Sequence, residues 1–151
     1  MKNKKLKETL KFGGASLLLL AFFILVLQSF EFTFLQEWLA GFVAGFFGMN
    51  ASGNLLSFQE GTFQINNYCT GLYSISLLAS LLIPLKTINW KKKAGFFLAG
   101  AATLFVINIF RVALIAWAGI NYGLELAELV HWASWVGIGM LVFAVWLKGL
   151  K

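Results

Sequence analysis

Four long apolar runs, at residues 12–30, 68–85, 94–119 and 129–147, divide this chain, and lysines stand only between and beyond them. Each run is close to the ~20 apolar residues that a helix needs to cross a bilayer. The composition agrees: 60% of the 151 residues are hydrophobic and 12% charged, too apolar for a soluble domain of this size to hide. A net charge of +6 would suggest nucleic acid as a partner if it covered a soluble face. Here the basic residues flank apolar runs, which is how membrane proteins set their topology. The length suits one domain, residues 1–151. The expected class is an all-α integral membrane protein with four transmembrane helices, and no nucleic-acid partner.

The lysines orient the chain. If the four runs cross, Lys2, Lys4, Lys5, Lys7, Lys11, Lys86, Lys91, Lys92, Lys93, Lys148 and Lys151 all fall on one side. The positive-inside rule makes that side cytoplasmic. Both termini are then cytoplasmic, in a multi-pass protein of the cell membrane. The first run follows five lysines and resembles a signal peptide. Its apolar part, however, is longer than the ~7–15 residues of a secretory segment, and no small-residue cleavage site follows. It reads as an uncleaved signal anchor.

Two further segments lie between the first and second runs. Residues 34–48 alternate at helical spacing between large residues (Phe34, Leu35, Trp38, Leu39, Phe42, Val43, Phe46, Phe47) and small ones (Ala40, Gly41, Ala44, Gly45, Gly48). This predicts a helix lying at the interface, its small face against the bundle and its aromatic face toward lipid. A fifth crossing here would put Lys86–Lys93 outside, against the charge rule. Residues 54–66 carry Leu56, Phe58, Phe63 and Ile65 around Glu60-Gly61, which reads as a short extracytoplasmic hairpin.

Three singular residues converge in this topology. Cys69, the sole cysteine, opens the second run from outside. His131, the sole histidine, opens the fourth. Arg111, the sole arginine, lies about 17 residues into the third, roughly 26 Å from its cytoplasmic end at ~1.5 Å per residue. All three therefore sit at similar depth near the outer face. An arginine inside a span costs at least ~2.5–3.5 kcal/mol on insertion scales and usually has a functional partner. Its structural alternative is snorkelling or an ion pair to Glu125 or Glu128.

The chemistry of a thiol site fits the trio. A helix N-terminus and a nearby cation lower a thiol pKa, and Cys69 would sit in the first turn of the second helix with Asn66 or Asn67 as cap. Gly71 would let a substrate backbone approach. His131 would move the proton, with Glu128 one turn earlier to orient the imidazole. Arg111 would stabilise an oxyanion, with Asn108 on the same helix face. One cysteine excludes an internal disulfide, a Cys-rich zinc site and an iron–sulfur cluster. With one histidine and no Asp, no metal and no cofactor are expected, and bis-His haem ligation within the chain is impossible. The competing reading is a non-enzymatic membrane protein with structural Arg111 and His131, or an accessory subunit of a sorting complex.

Cys69-Thr70-Gly71 opening one span, Asn108 and Arg111 three apart inside the next, and His131 opening the one after resemble the exosortase/archaeosortase family. The resemblance runs from about residue 54 to 140 and rests on order, spacing and depth. It implies a membrane cysteine peptidase or transpeptidase with catalytic Cys69, Arg111 and His131. The implied substrates are exported surface proteins ending in a short motif, a transmembrane helix and a basic cluster. Cleavage would pass through a thioester on cysteine, followed by transfer to a lipid or other amine-bearing acceptor.

Overall fold

The computed structural model describes residues 2–58, 61–86 and 88–149. The expected hairpin turn at Glu60 and the terminal Lys151 lie outside them. The order is α1 (Lys2–Ser29), α2 (Thr33–Phe47), β1 (Ala51–Ser52), β2 (Leu55–Phe58), β3 (Gly61–Gln64), a 3-10 turn (Asn67–Cys69), α3 (Leu72–Leu82), α4 (Trp90–Tyr122) and α5 (Leu124–Gly149).

Among the described residues, three helices are long and apolar enough to cross a membrane: Leu6–Ser29, Trp90–Tyr122 and Leu124–Lys148. The second expected span differs. α3 is an 11-residue helix, ~16 Å long at 1.5 Å per residue, about half the hydrocarbon thickness. Both ends have local causes. Gly71, with φ +82°, breaks the chain ahead of Leu72, and Pro84, which has no N–H to donate, follows the cap residue Ile83. The expected loop at 120–128 is also mostly helical: Gly123 alone separates α4 from α5.

The helices alternate in direction, so lysine-bearing ends gather at one end of the bundle. Phe12 of α1 stacks on Trp146 of α5, and Lys93 Nζ donates to the Ile83 carbonyl at the end of α3. A core of Leu78, Leu82, Leu104, Ile138 and Val142 fills this half. α4 passes so close to α3 here that a Cβ on Gly100 would fall 2.7 Å from Leu78 Cδ2.

A different core fills the other half. α2 buries Gln36, Leu39, Ala40, Val43 and Ala44, a stripe at helical spacing. Phe34, Trp38, Phe42 and Phe46 are exposed, as the aromatic face was expected to be. The small face is only partly the packed one: Ala40 and Ala44 are buried, but a Cβ on Gly41 or Gly45 would meet nothing within 4 Å. Leu39 and Val43, branched residues that fill the groove, take their place.

The hairpin forms as an antiparallel sheet in the order β1-β2-β3, with Leu56 opposite Phe63 and Phe58 opposite Gly61. Leu56 and Ile65 join α2, Val112, Ala116 and Cys69 in one apolar cluster, with Phe58 and Phe63 against it. A Cβ on Gly119 would fall 2.5 Å from the Phe58 ring; only glycine lets the hairpin lie on α4. This sheet therefore covers the end of the bundle opposite the lysines, directly over Cys69.

Candidate functional site

Cys69 ends the 3-10 turn between β3 and α3. Asn66 caps that turn, its side chain accepting from the Tyr68 N–H at 3.0 Å. Cys69 is thus not in the first turn of α3, as expected, because Gly71 intervenes in the left-handed region. Asn67 has another task. Its Nδ2 donates to the Leu27 and Phe30 carbonyls, both at 2.8 Å, and its Oδ1 accepts from Gln36 Nε2 at 2.7 Å. The cysteine turn is thereby tied to the end of α1 and the start of α2.

The next attachment comes from α4. Asn108 and Arg111 lie on its buried stripe, with Leu104, Val112 and Ile115. Asn108 Nδ2 donates to the Cys69 carbonyl, and Arg111 Nη1 donates to the Tyr68 carbonyl at 3.2 Å. Gly71 makes the first bond possible: a Cβ there would fall 3.1 Å from Asn108 Cβ and Cγ. The close approach expected of a substrate backbone at Gly71 is made by Asn108 instead.

Arg111 is only 5% exposed. Its Nε donates to Ser134 Oγ at 2.7 Å, and its Nη2 contacts His131 Nδ1 at 3.2 Å and the His131 carbonyl at 3.3 Å. Nη1 also reaches Asn108 Oδ1 at 3.4 Å. The guanidinium lies 4.7 Å from the centre of the Trp135 ring, a cation–π distance. Every one of these partners is neutral. Among the described residues Arg111 forms no ion pair, so Glu125 and Glu128 do not neutralise it.

The guanidinium bridges the cysteine turn to the imidazole. Because an arginine N–H can only donate, Nδ1 of His131 accepts, and the neutral ring carries its proton on Nε2. Phe63 of the hairpin meets the same ring edge-on at 5.5 Å. Glu128, expected to orient the imidazole, is exposed and makes no hydrogen bond to it; Arg111 and Phe63 hold the ring. The thiol and imidazole are not hydrogen-bonded to one another. The structure brings Cys69, Asn108, Arg111 and His131 into one connected group, with Gly71 behind it and Glu128 outside it.

Cys69 is fully buried and lies outside the spanning helices. Burial pushes its thiol above the ordinary value, while the Asn66 backbone N–H and the Arg111 charge pull it part of the way back. The expected lowering by a helix N-terminus and a cation is thus outweighed by burial. Ser134, Trp135 and Tyr73 carry no expectation of a site role from sequence, and Phe63 carries only that of a hairpin residue. Ser134 and Trp135 had a legible signal, lying three and four residues after His131 on one helical face. Tyr73 stacks on Tyr68 at 4.6 Å, and both meet Trp135 edge-on.

A buried cation with no acid partner among the described residues stabilises negative charge beside a thiol. The arrangement is therefore competent to hold a thiolate or a developing oxyanion. No curated protein and no solved structure matches this chain. A family model described as transmembrane exosortase matches residues 7–150. That match spans the three long helices, the hairpin and the whole connected group, and the chain belongs to the transmembrane exosortase family.

Proposed function

We propose that this membrane protein is a cysteine transpeptidase that cleaves the C-terminal sorting signal of exported surface proteins and passes them to an amine-bearing acceptor. The observation that carries this reading is the buried guanidinium of Arg111, without an acid partner among the described residues and shared between the carbonyl preceding Cys69 and the imidazole of His131. A purely structural arginine would gain far more from a carboxylate partner than from neutral acceptors.

The reaction follows from that geometry. Cys69 Sγ forms a bond to the scissile carbonyl carbon, and the C=O π pair moves to oxygen. Arg111 turns an N–H toward that oxygen and thereby leaves His131 Nδ1, which takes the thiol proton. The C–N bond then breaks, His131 returns the proton to the departing amine, and a thioester remains on Cys69. An acceptor amine attacks the thioester and regenerates the thiol. Cleavage depends on Arg111 leaving His131, so the thiol is activated only when a carbonyl is in place.

The topology that suits this function has both termini in the cytoplasm and Cys69 facing outside. The lysine-bearing ends of the bundle support it. α3 completes a fourth crossing with the chain that follows it as far as Lys86, and α2 lies at the outer interface with its aromatic face in lipid.

The test is gel mobility of a co-expressed protein carrying a sorting tail. Cys69→Ser replaces the thiol with a poorly ionising hydroxyl of similar size. Processing should vanish at unchanged protein level. Normal processing by a well-expressed Cys69→Ser variant would end this reading and leave the structural alternative.

A further inference from the structure

A polar cleft of about 240 Å³ opens beside the cysteine turn. Two tyrosines, Tyr68 and Tyr73, line it, and every other lining side chain is an amide except one, the carboxylate of Glu31. The amide wall is built rather than incidental. Buried Gln36 donates to Asn67 and accepts from Asn54 Nδ2 at 2.9 Å, and Asn54 also donates to the Ile65 carbonyl at 3.0 Å. Glu31 stands in the short link between α1 and α2, exposed and with no ion pair among the described residues.

The cleft is walled by the cysteine turn. Asn66 and Asn67 line it, three and two residues before Cys69, whose side chain is buried behind them. Tyr68 also lines it, with its carbonyl held by Arg111. Two opposite charges therefore lie on either side of the cysteine turn: the guanidinium, with no acid partner among the described residues, on the bundle side and the Glu31 carboxylate on the cleft side. Amides and tyrosines bind any hydrogen-bonding group; the one formal charge selects among them, against anions and for cations.

We propose that this cleft is an ammonium subsite of the Cys69 centre, with Glu31 as its anionic partner. It rests on the transpeptidase reading for its role, though not for its chemistry. The ammonium is supplied either by the acceptor or by a basic side chain of the substrate near the scissile bond. In the acceptor case the balance is complete. As the nitrogen bonds to the thioester carbon and the C–S bond breaks, the ammonium gives up two protons. One restores the Cys69 thiol and the other leaves to water past Glu31.

The subsite is tested with thiol reagents of graded charge on the purified protein in detergent. The probes are the cationic 2-aminoethyl, the neutral methyl and the anionic 2-sulfonatoethyl methanethiosulfonates, each rate divided by its rate with free cysteine. Arg111 alone would favour the anionic reagent. The subsite predicts the reverse: the cationic reagent should lead the neutral one by about fivefold, the effect of one unit charge at ~4 Å in water. Glu31→Gln, which leaves Arg111 alone, should abolish the cationic preference and tilt the rates toward the anionic reagent, and Glu31→Lys should tilt them further. A preference of the unsubstituted protein for the anionic reagent, or a cationic preference that survives Glu31→Gln, would overturn the proposal. A second arm separates the two sources in cells carrying a tailed substrate. Glu31→Gln should accumulate the Cys69 thioester if the acceptor brings the ammonium, or the uncleaved precursor if the substrate does. Wild-type processing in Glu31→Gln would overturn the role. Processing that survives Cys69→Ser would instead sink the transpeptidase reading, while the reagent selectivity stood.

Discussion

Arg111 meets the protein through a planar fork, and the fork is what a lysine lacks. Its three nitrogens reach the Tyr68 carbonyl, Ser134 Oγ and His131 at once, whereas an ammonium offers a point charge. Arg111→Lys should therefore keep the fold and lower processing by about 100-fold or more, the usual loss for one oxyanion donor. Gel mobility of a tailed substrate, at matched protein level, measures it; near-normal processing would mean that charge alone suffices. The thiol yields a second expectation. Burial raises its pKa and Arg111 opposes that rise. The resting thiol is thus less ionised at a given pH than a free cysteine, whose pKa is ~8.5. Alkylation of Cys69 by a small uncharged reagent should show its pH midpoint above that value. Arg111→Gln should move the midpoint further up, because the lowering influence is gone. A downward move would contradict the charge assignment.

Two glycines set how the elements approach one another. Gly71 combines a φ of +82° with the side chain of Asn108 at 3.1 Å from where a Cβ would stand. Gly71→Ala should cost roughly 1–2 kcal/mol for the left-handed backbone and should also displace Asn108 from the Cys69 carbonyl. Asn108→Ala would relieve only the second effect, so the double variant should recover part of the thermal midpoint in detergent. Gly119 behaves differently, since its conflict is purely one of space with the Phe58 ring. Gly119→Ala should lower the midpoint, and Phe58→Ala in the same chain should largely restore it. Absence of that rescue would mean that the hairpin does not rest on α4. The helical face of α2 was legible from its spacing, yet the choice of Leu39 and Val43 over the glycines was not. That choice depends on the groove offered by α4 and the sheet, which lie far along the chain.

At the scale of the molecule the lysines and the site occupy opposite ends of the bundle. In a Cys69→Ala background, single cysteines at Lys91 and at the exposed Thr62 of β3 can be probed with a membrane-impermeant maleimide in intact cells. Thr62→Cys should label and Lys91→Cys should not; the reverse pattern would invert the proposed orientation. The membrane class, the gathering of lysines on one side and the candidate trio were legible in the sequence because hydropathy and charge are local properties of the chain. Only the tertiary structure decided that α3 is half a span, that Asn108 packs against Gly71, and that among the described residues Arg111 has no acid partner. Partners of a buried guanidinium are drawn from turns and helices 20 and 43 residues away, and no local pattern records which groups packing brings to it.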